Sequence, residues 1–129
     1  MSAYREIARE LLELDSVQKQ LAGIATRRDD DRRQDLIALR RRYAGQMNEV
    51  ARFGDPIFAA APDRGLEQTY RSLLSKLRSA AAAHQANWPA VRLDEPAELF
   101  RRSAVAVGEA HRRFVDWMRE TLSRLEHGR

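Results

Sequence analysis

Cysteine is absent from this sequence, which removes disulfides, thiolate zinc sites and thiol redox chemistry together. Glycine is sparse and scattered, six residues in all, so there is no Gly-rich loop to cradle a phosphate. No G-x-S-x-G or other nucleophile motif occurs. No apolar run approaches the roughly 20 residues of a membrane-spanning helix. The N-terminal stretch breaks its apolar residues with Arg5, Glu6, Arg9, Glu10 and Glu13, unlike the uninterrupted centre of a secretory signal. Together these absences lead to the expectation of a cytoplasmic, non-catalytic protein with no cofactor or metal. Lysine is also nearly missing: only Lys19 and Lys76 occur among 23 basic residues, and the rest are arginine. Arginine and alanine both have GC-rich codons, so the arginine count reflects a bacterial-like composition before it reflects phosphate binding. The net charge of +4 permits anionic partners without specifying one.

What remains is a run of amphipathic patterns. From Ser2 to Arg28, Ile7, Leu14, Val17, Leu21 and Ile24 draw one stripe along a helix, widened by Leu11. A second stripe, Leu36, Leu39, Tyr43, Met47 and Val50, predicts a helix from Asp31 to Phe53. The twelve residues between Ile24 and Leu36 would rotate one continuous helix by about 120° out of phase, so a break near Asp29 is expected. Asp31 with Gln34 makes a capping-box spacing. A hairpin centred near Asp30 sets Ile24 opposite Leu36, Leu21 opposite Leu39 and Val17 opposite Tyr43. Phe53-Gly54-Asp55-Pro56 reads as a stop, followed by a long connection over residues 55–63.

Asp63 caps a third helix, Arg64 to Asn87, with Leu66, Tyr70, Leu73, Leu77, Ala80 and His84 on its stripe. Trp88-Pro89 ends it, and Trp88 plugs that end of the core. After a loop, Asp94-Glu95-Pro96 opens a fourth helix to His127, striped by Phe100, Ala104, Val107, His111, Phe114, Met118, Leu122 and Leu125. Glu98 with Arg102, Glu109 with Arg113, and Glu120 with Arg124 have the favoured ion-pair spacing on its outer face. No strand pattern and no internal repeat is seen. The fold class expected is all-α, an antiparallel four-helix bundle of two helical hairpins forming one domain over residues 1–129.

Four features could carry function. His84 and His111 fall on the stripes, as a ligand site or a proton switch. His111 and Asp116 share a spacing used in di-iron bundles of the hemerythrin type, but the other histidines such a site needs are missing. The hairpin register puts His111 opposite Ser72 and His84 opposite Leu99, separating the histidines by about 18 Å, too far to share a metal. Second, residues 27–42 concentrate Arg27, Arg28, Arg32, Arg33, Arg40, Arg41 and Arg42 against four aspartates. This tip is a candidate for an acidic surface or nucleic acid, nucleic acid being the less favoured partner because acids interrupt the run and aromatics do not interleave it. Third, Ser72, Ser75 and Ser79 with Ala80 to Ala83 would meet Ala104, Ala106, Gly108 and Ala110 in close packing, with Gly108 opposite Ser75. Fourth, Trp117 lies beside the stripe, where tryptophan would make a binding anchor. The leading expectation is a helical interaction module, of the adaptor or chaperone kind, binding another protein or itself as a homodimer.

Overall fold

A computed structural model describes residues 2–128. It holds α1 (Ala3–Gly23), α2 (Arg32–Ala59), α3 (Arg64–Asn87) and α4 (Ala97–His127), with single 3-10 turns at Ile24–Thr26 and Ala90–Arg92. No strand occurs among the described residues. Neighbouring helices run antiparallel all the way round. Across α1 and α2, Glu13 pairs with Arg42 and Glu10 with Gln46. Across α3 and α4, His84 meets Ser103 while Tyr70 meets Phe114. Asn48 and Asp55 of α2 reach Arg78 and Tyr70 of α3. Asp15 of α1 meets His111 of α4. The expected bundle of two hairpins is the fold. The α1–α2 turn and the α3–α4 loop share one end; the α2–α3 turn and the termini share the other.

The α1 and α2 stripes bury as their periodicity requires, apart from half-buried Leu21, whereas on α3 Tyr70 and Leu77 bury together with Leu74, which lies off the expected stripe, and Leu66 and Leu73 are half-buried. Ile7, Leu11, Leu14, Val17 and Ile24 are core, as are Leu36, Leu39, Tyr43, Met47 and Val50. Ser2 caps α1 by accepting from the Tyr4 amide at 3.2 Å, and Asp63 caps α3 by accepting from Gly65 at 2.8 Å. Asp31 occupies the cap position of α2 without a side-chain cap bond. The α1–α2 turn contains neither Gly nor Pro. Arg27 fixes it instead, bridging Asp29 at 2.6 Å and Asp35 at 2.8 Å, while Arg32 donates to the Arg27 carbonyl.

One boundary differs from the sequence expectation. α2 does not stop at Phe53 but runs through Gly54 and Pro56 to Ala59, leaving only residues 60–63 as a connection. Gly54 is not a left-handed stop, since no glycine among the described residues has positive φ. It is flat ground for Tyr70: a Cβ at Gly54 would lie 2.8 Å from the Tyr70 hydroxyl oxygen. Pro56 lacks the N–H that would continue the ladder, a cost of about 3 kcal/mol in a helix interior. Extending the helix seats Phe58 in the core, stacked on Tyr70 at 4.5 Å and beside Trp117 at 5.4 Å. Burial of one such ring is worth about 1.5–3 kcal/mol, and the ring contacts add to it.

Candidate functional site

The two hairpins do not close on each other along their whole length. Near the α1–α2 turn a cavity of about 610 Å³ opens between them, walled by all four helices. Small residues break up its wall: Ala22 in α1's last turn, Ala25 in the 3-10 turn that follows, Ala44 on α2, Ala81 and Ala82 on α3, Ala104 and Gly108 on α4. Leu21, Leu36, Met47, Phe100 and Val107 complete the apolar surface. α3 and α4 do lie close along their shared face, with Ala80, Ala81 and Ala110 packed against the core; the gap lies between the two hairpins. Gly108 faces away from Ser75; a Cβ there would meet only the ends of Arg112 and Gln18, at 3.8 and 4.0 Å.

Set into this wall are Arg40, Arg78, Arg101 and Arg112, together with His84, Tyr43, Gln18, Asn48 and Gln85. Among the described lining residues none is an aspartate or glutamate. Arg40 is half-buried and donates to the Trp88 carbonyl at 2.8 Å, with no carboxylate partner. Burial pulls its pKa below the usual guanidinium value. His84 hydrogen-bonds through Nδ1 to Ser103 Oγ at 2.7 Å, and its ring lies edge-on to Phe100 at 5.0 Å. Its pKa is pushed down to about 4, by burial first and by the neighbouring Arg40 charge second. The Gln18 side-chain oxygen is buried with no hydrogen-bond partner in the protein.

His111 stands apart, in a polar chain crossing the core. Its Nε2 lies 2.7 Å from Asp15 Oδ1 and its Nδ1 lies 2.6 Å from the Tyr43 hydroxyl. An ionised carboxylate only accepts, so the network assigns the proton to Nε2, and in the neutral ring Nδ1 accepts from the Tyr43 O–H. Arg119 closes the chain on the other Asp15 oxygen. The result ties α1, α2 and α4 together through one fully bonded buried group. It replaces the expected Ser72 contact. Burial, and then the Asp15 charge, push the Tyr43 hydroxyl above its usual pKa, so it stays a donor. Both ring nitrogens of His111 are occupied by protein partners. Among the described residues no group of three or more His, Asp or Glu is arranged to hold a metal ion.

The arginine-rich tip is divided in use. Arg27 is held by Asp29 and Asp35, Arg32 and Arg33 both grip Asp94, and Arg42 pairs with Glu13. Asp29 is drawn down to about 2 by the Arg27 hydrogen bond. Arg33 also donates to the Ala90 carbonyl, so the start of α2 staples the α3–α4 loop. Arg28 and Arg41 are exposed and have no ion pair among the described residues; Arg40 belongs to the cavity. Trp117 is half-buried against Phe58, and Trp88 caps the core end as expected, edge-on to Phe100. Of the expected outer-face pairs on α4, Glu120 and Arg124 approach to 3.7 Å, while Glu98 turns to Arg101 at 3.8 Å.

Sequence reasoning marked Arg40 and His84 but did not join them, and it passed over Arg78, Arg101, Arg112 and Gln18. Each of those lies off the apolar stripes and reads as solvated helix surface. The usable signal was the alanine run opposite Ala104 and Gly108, which marks where little side-chain volume faces the bundle axis. Comparison with protein-family models, with curated proteins and with solved structures finds no match to this chain.

Proposed function

We propose that this chain is a non-catalytic binding protein that takes a small, mostly apolar molecule into the cavity between its hairpins. The observation that carries the reading is the cavity itself. Its volume of about 610 Å³ falls in the range of roughly 300–1,000 Å³ typical of small-molecule sites, and its wall has their character, apolar with a few polar groups. The cavity opens to solvent, with Ala44, Ala82, Arg78, Arg101 and Arg112 exposed around it, so a molecule can enter without unfolding the bundle.

The rival reading, a helical interaction module, draws less support. The exposed large apolar side chains Leu12, Ile37, Val91, Leu99 and Val105 are spread over three helices and a loop, and Trp117 is engaged with Phe58. Binding of an anionic polymer at residues 27–42 is weakened by the carboxylates that already hold four of the seven arginines.

Titration with the neutral fluorophore N-phenylnaphthylamine tests the reading. Saturable one-site binding that disappears when Ala104→Trp plugs the cavity is the expected result. No binding, together with a stable dimer in sedimentation, would return the argument to the interaction module. In the folded variant, Ala104→Trp should leave helicity unchanged by circular dichroism.

A further inference from the structure

The cavity's charge is as one-sided as its shape. At the tip, Arg27, Arg32, Arg33 and Arg42 each meet a carboxylate at 2.8 Å or closer, and the tip arginines without one, Arg28 and Arg41, are exposed to solvent. Of the cavity arginines, Arg40, Arg78 and Arg112 have no ion pair among the described residues. Arg78 has only the Asn48 amide oxygen, at 3.1 Å. Arg101 reaches Glu98 only at 3.8 Å, on the exposed surface. Arg40, the innermost, spends one hydrogen bond on the Trp88 carbonyl out of a guanidinium's five N–H donors. A half-buried cation without a counter-ion is unfavourable, and the deficit is relieved by an anion brought in from outside. Beside this charge the wall carries alanine, leucine and methionine, which rewards an apolar body.

We propose that the occupant is an amphipathic organic anion, its apolar body in the alanine-lined hollow and its acidic head on Arg40, with Arg78, Arg101 and Arg112 drawing it in at the rim. This deepens the ligand-binding reading and rests on it. Charge at the rim attracts the anion before it docks and is screened by salt. The contact with Arg40 is sheltered from solvent and persists.

Two probes with one framework separate the claims. Anilinonaphthalene sulfonate carries an anionic group that N-phenylnaphthylamine lacks. Titrated into the full chain, the sulfonate should bind about tenfold to hundredfold tighter, the range for a charge-assisted hydrogen bond. Arg40→Gln, which keeps an amide donor and removes the charge, should erase that preference without weakening the neutral probe. Arg40→Lys, which keeps the charge, should retain part of it. Equal affinity for the two probes in the unaltered protein would overturn the anion assignment and leave the cavity a neutral site. A preference that survives in folded Arg40→Gln would equally remove Arg40 as the head-group contact. Failure of both probes to bind, or binding that survives both Ala104→Trp and Ala81→Phe, would overturn the cavity reading and the anion with it.

Discussion

The two halves of this bundle are built to different rules. Toward the termini, Phe58, Tyr70 and Phe114 lie in the core with Trp117 against them, and Ile7, Leu11, Leu14 and Met118 fill the space around the rings. Toward the α1–α2 turn the same four helices present Ala22, Ala44, Ala81, Ala104 and Gly108, and the space between them stays open. Small residues ordinarily let helices approach closely. Here aromatic groups lie at both ends of the hollow: the Phe58–Tyr70–Phe114 cluster on one side, Trp88 and Phe100 on the other. Long helices joined at both ends hold their spacing in between. The difference teaches that a hollow need not be a packing defect; it follows from bulky residues at its ends and small ones along it.

The comparison is best attacked where the filled half is tightest. Phe114→Ala removes a fully buried ring and should cost about 3–5 kcal/mol in urea denaturation; a loss below 1 kcal/mol would mean that half is not close-packed. Gly54→Ala comes next. The new Cβ would press on Tyr70, which is stacked and cannot move freely, so overpacking should cost about 1–3 kcal/mol. Tyr70→Phe in the same chain should recover part of that loss.

A matched pair then contrasts the halves directly. Ala51, in the filled core, should lose about 1–3 kcal/mol when enlarged to leucine. Ala104→Leu, facing the hollow, should be neutral or stabilising by about 1 kcal/mol as it buries new apolar surface. Equal losses at both positions would erase the distinction.

A pH dependence is also expected from His84 in the hollow half. The folded-state pKa of His84, at about 4, lies below an unfolded value of about 6.5. Between those values the unfolded chain binds more protons, so this group's contribution falls as pH drops from about 6.5 toward 4. His84→Gln should flatten the stability–pH slope in that window, measured as unfolding midpoints against the parent; an unchanged slope would place the effect elsewhere.

Much of the architecture was legible in the residues. Leu36, Leu39, Tyr43, Met47 and Val50 recur at helical spacing because a helix has one buried face, and all five are buried. Asp63 and Ser2 cap because their side chains satisfy first-turn amides. Gly54-Asp55-Pro56 misled, because a glycine can serve either as a turn residue or as a seat for a neighbouring ring, and only Tyr70's position tells which. His111 was placed on the right face but given the wrong partner, since a hairpin register fixes neighbours within α3 and α4 and says nothing of Asp15 and Tyr43 on the other hairpin. The cavity arginines were invisible for a similar reason: Arg40, Arg78, Arg101 and Arg112 belong to three helices, and nothing local distinguishes them from surface arginines.

Local patterning alone determined four helices, none of those described long and apolar enough to cross a membrane, and the side of each helix that turns inward, because those depend on spacing along one chain and on the water each face must avoid. How far apart the helices stand, which side chains meet across the two hairpins, and that Arg40, Arg78, Arg101 and Arg112 line one cavity with no aspartate or glutamate among its described lining residues were settled only in three dimensions. Side-chain volume and charge act between elements distant in the chain, and their balance exists only once all four helices are in place.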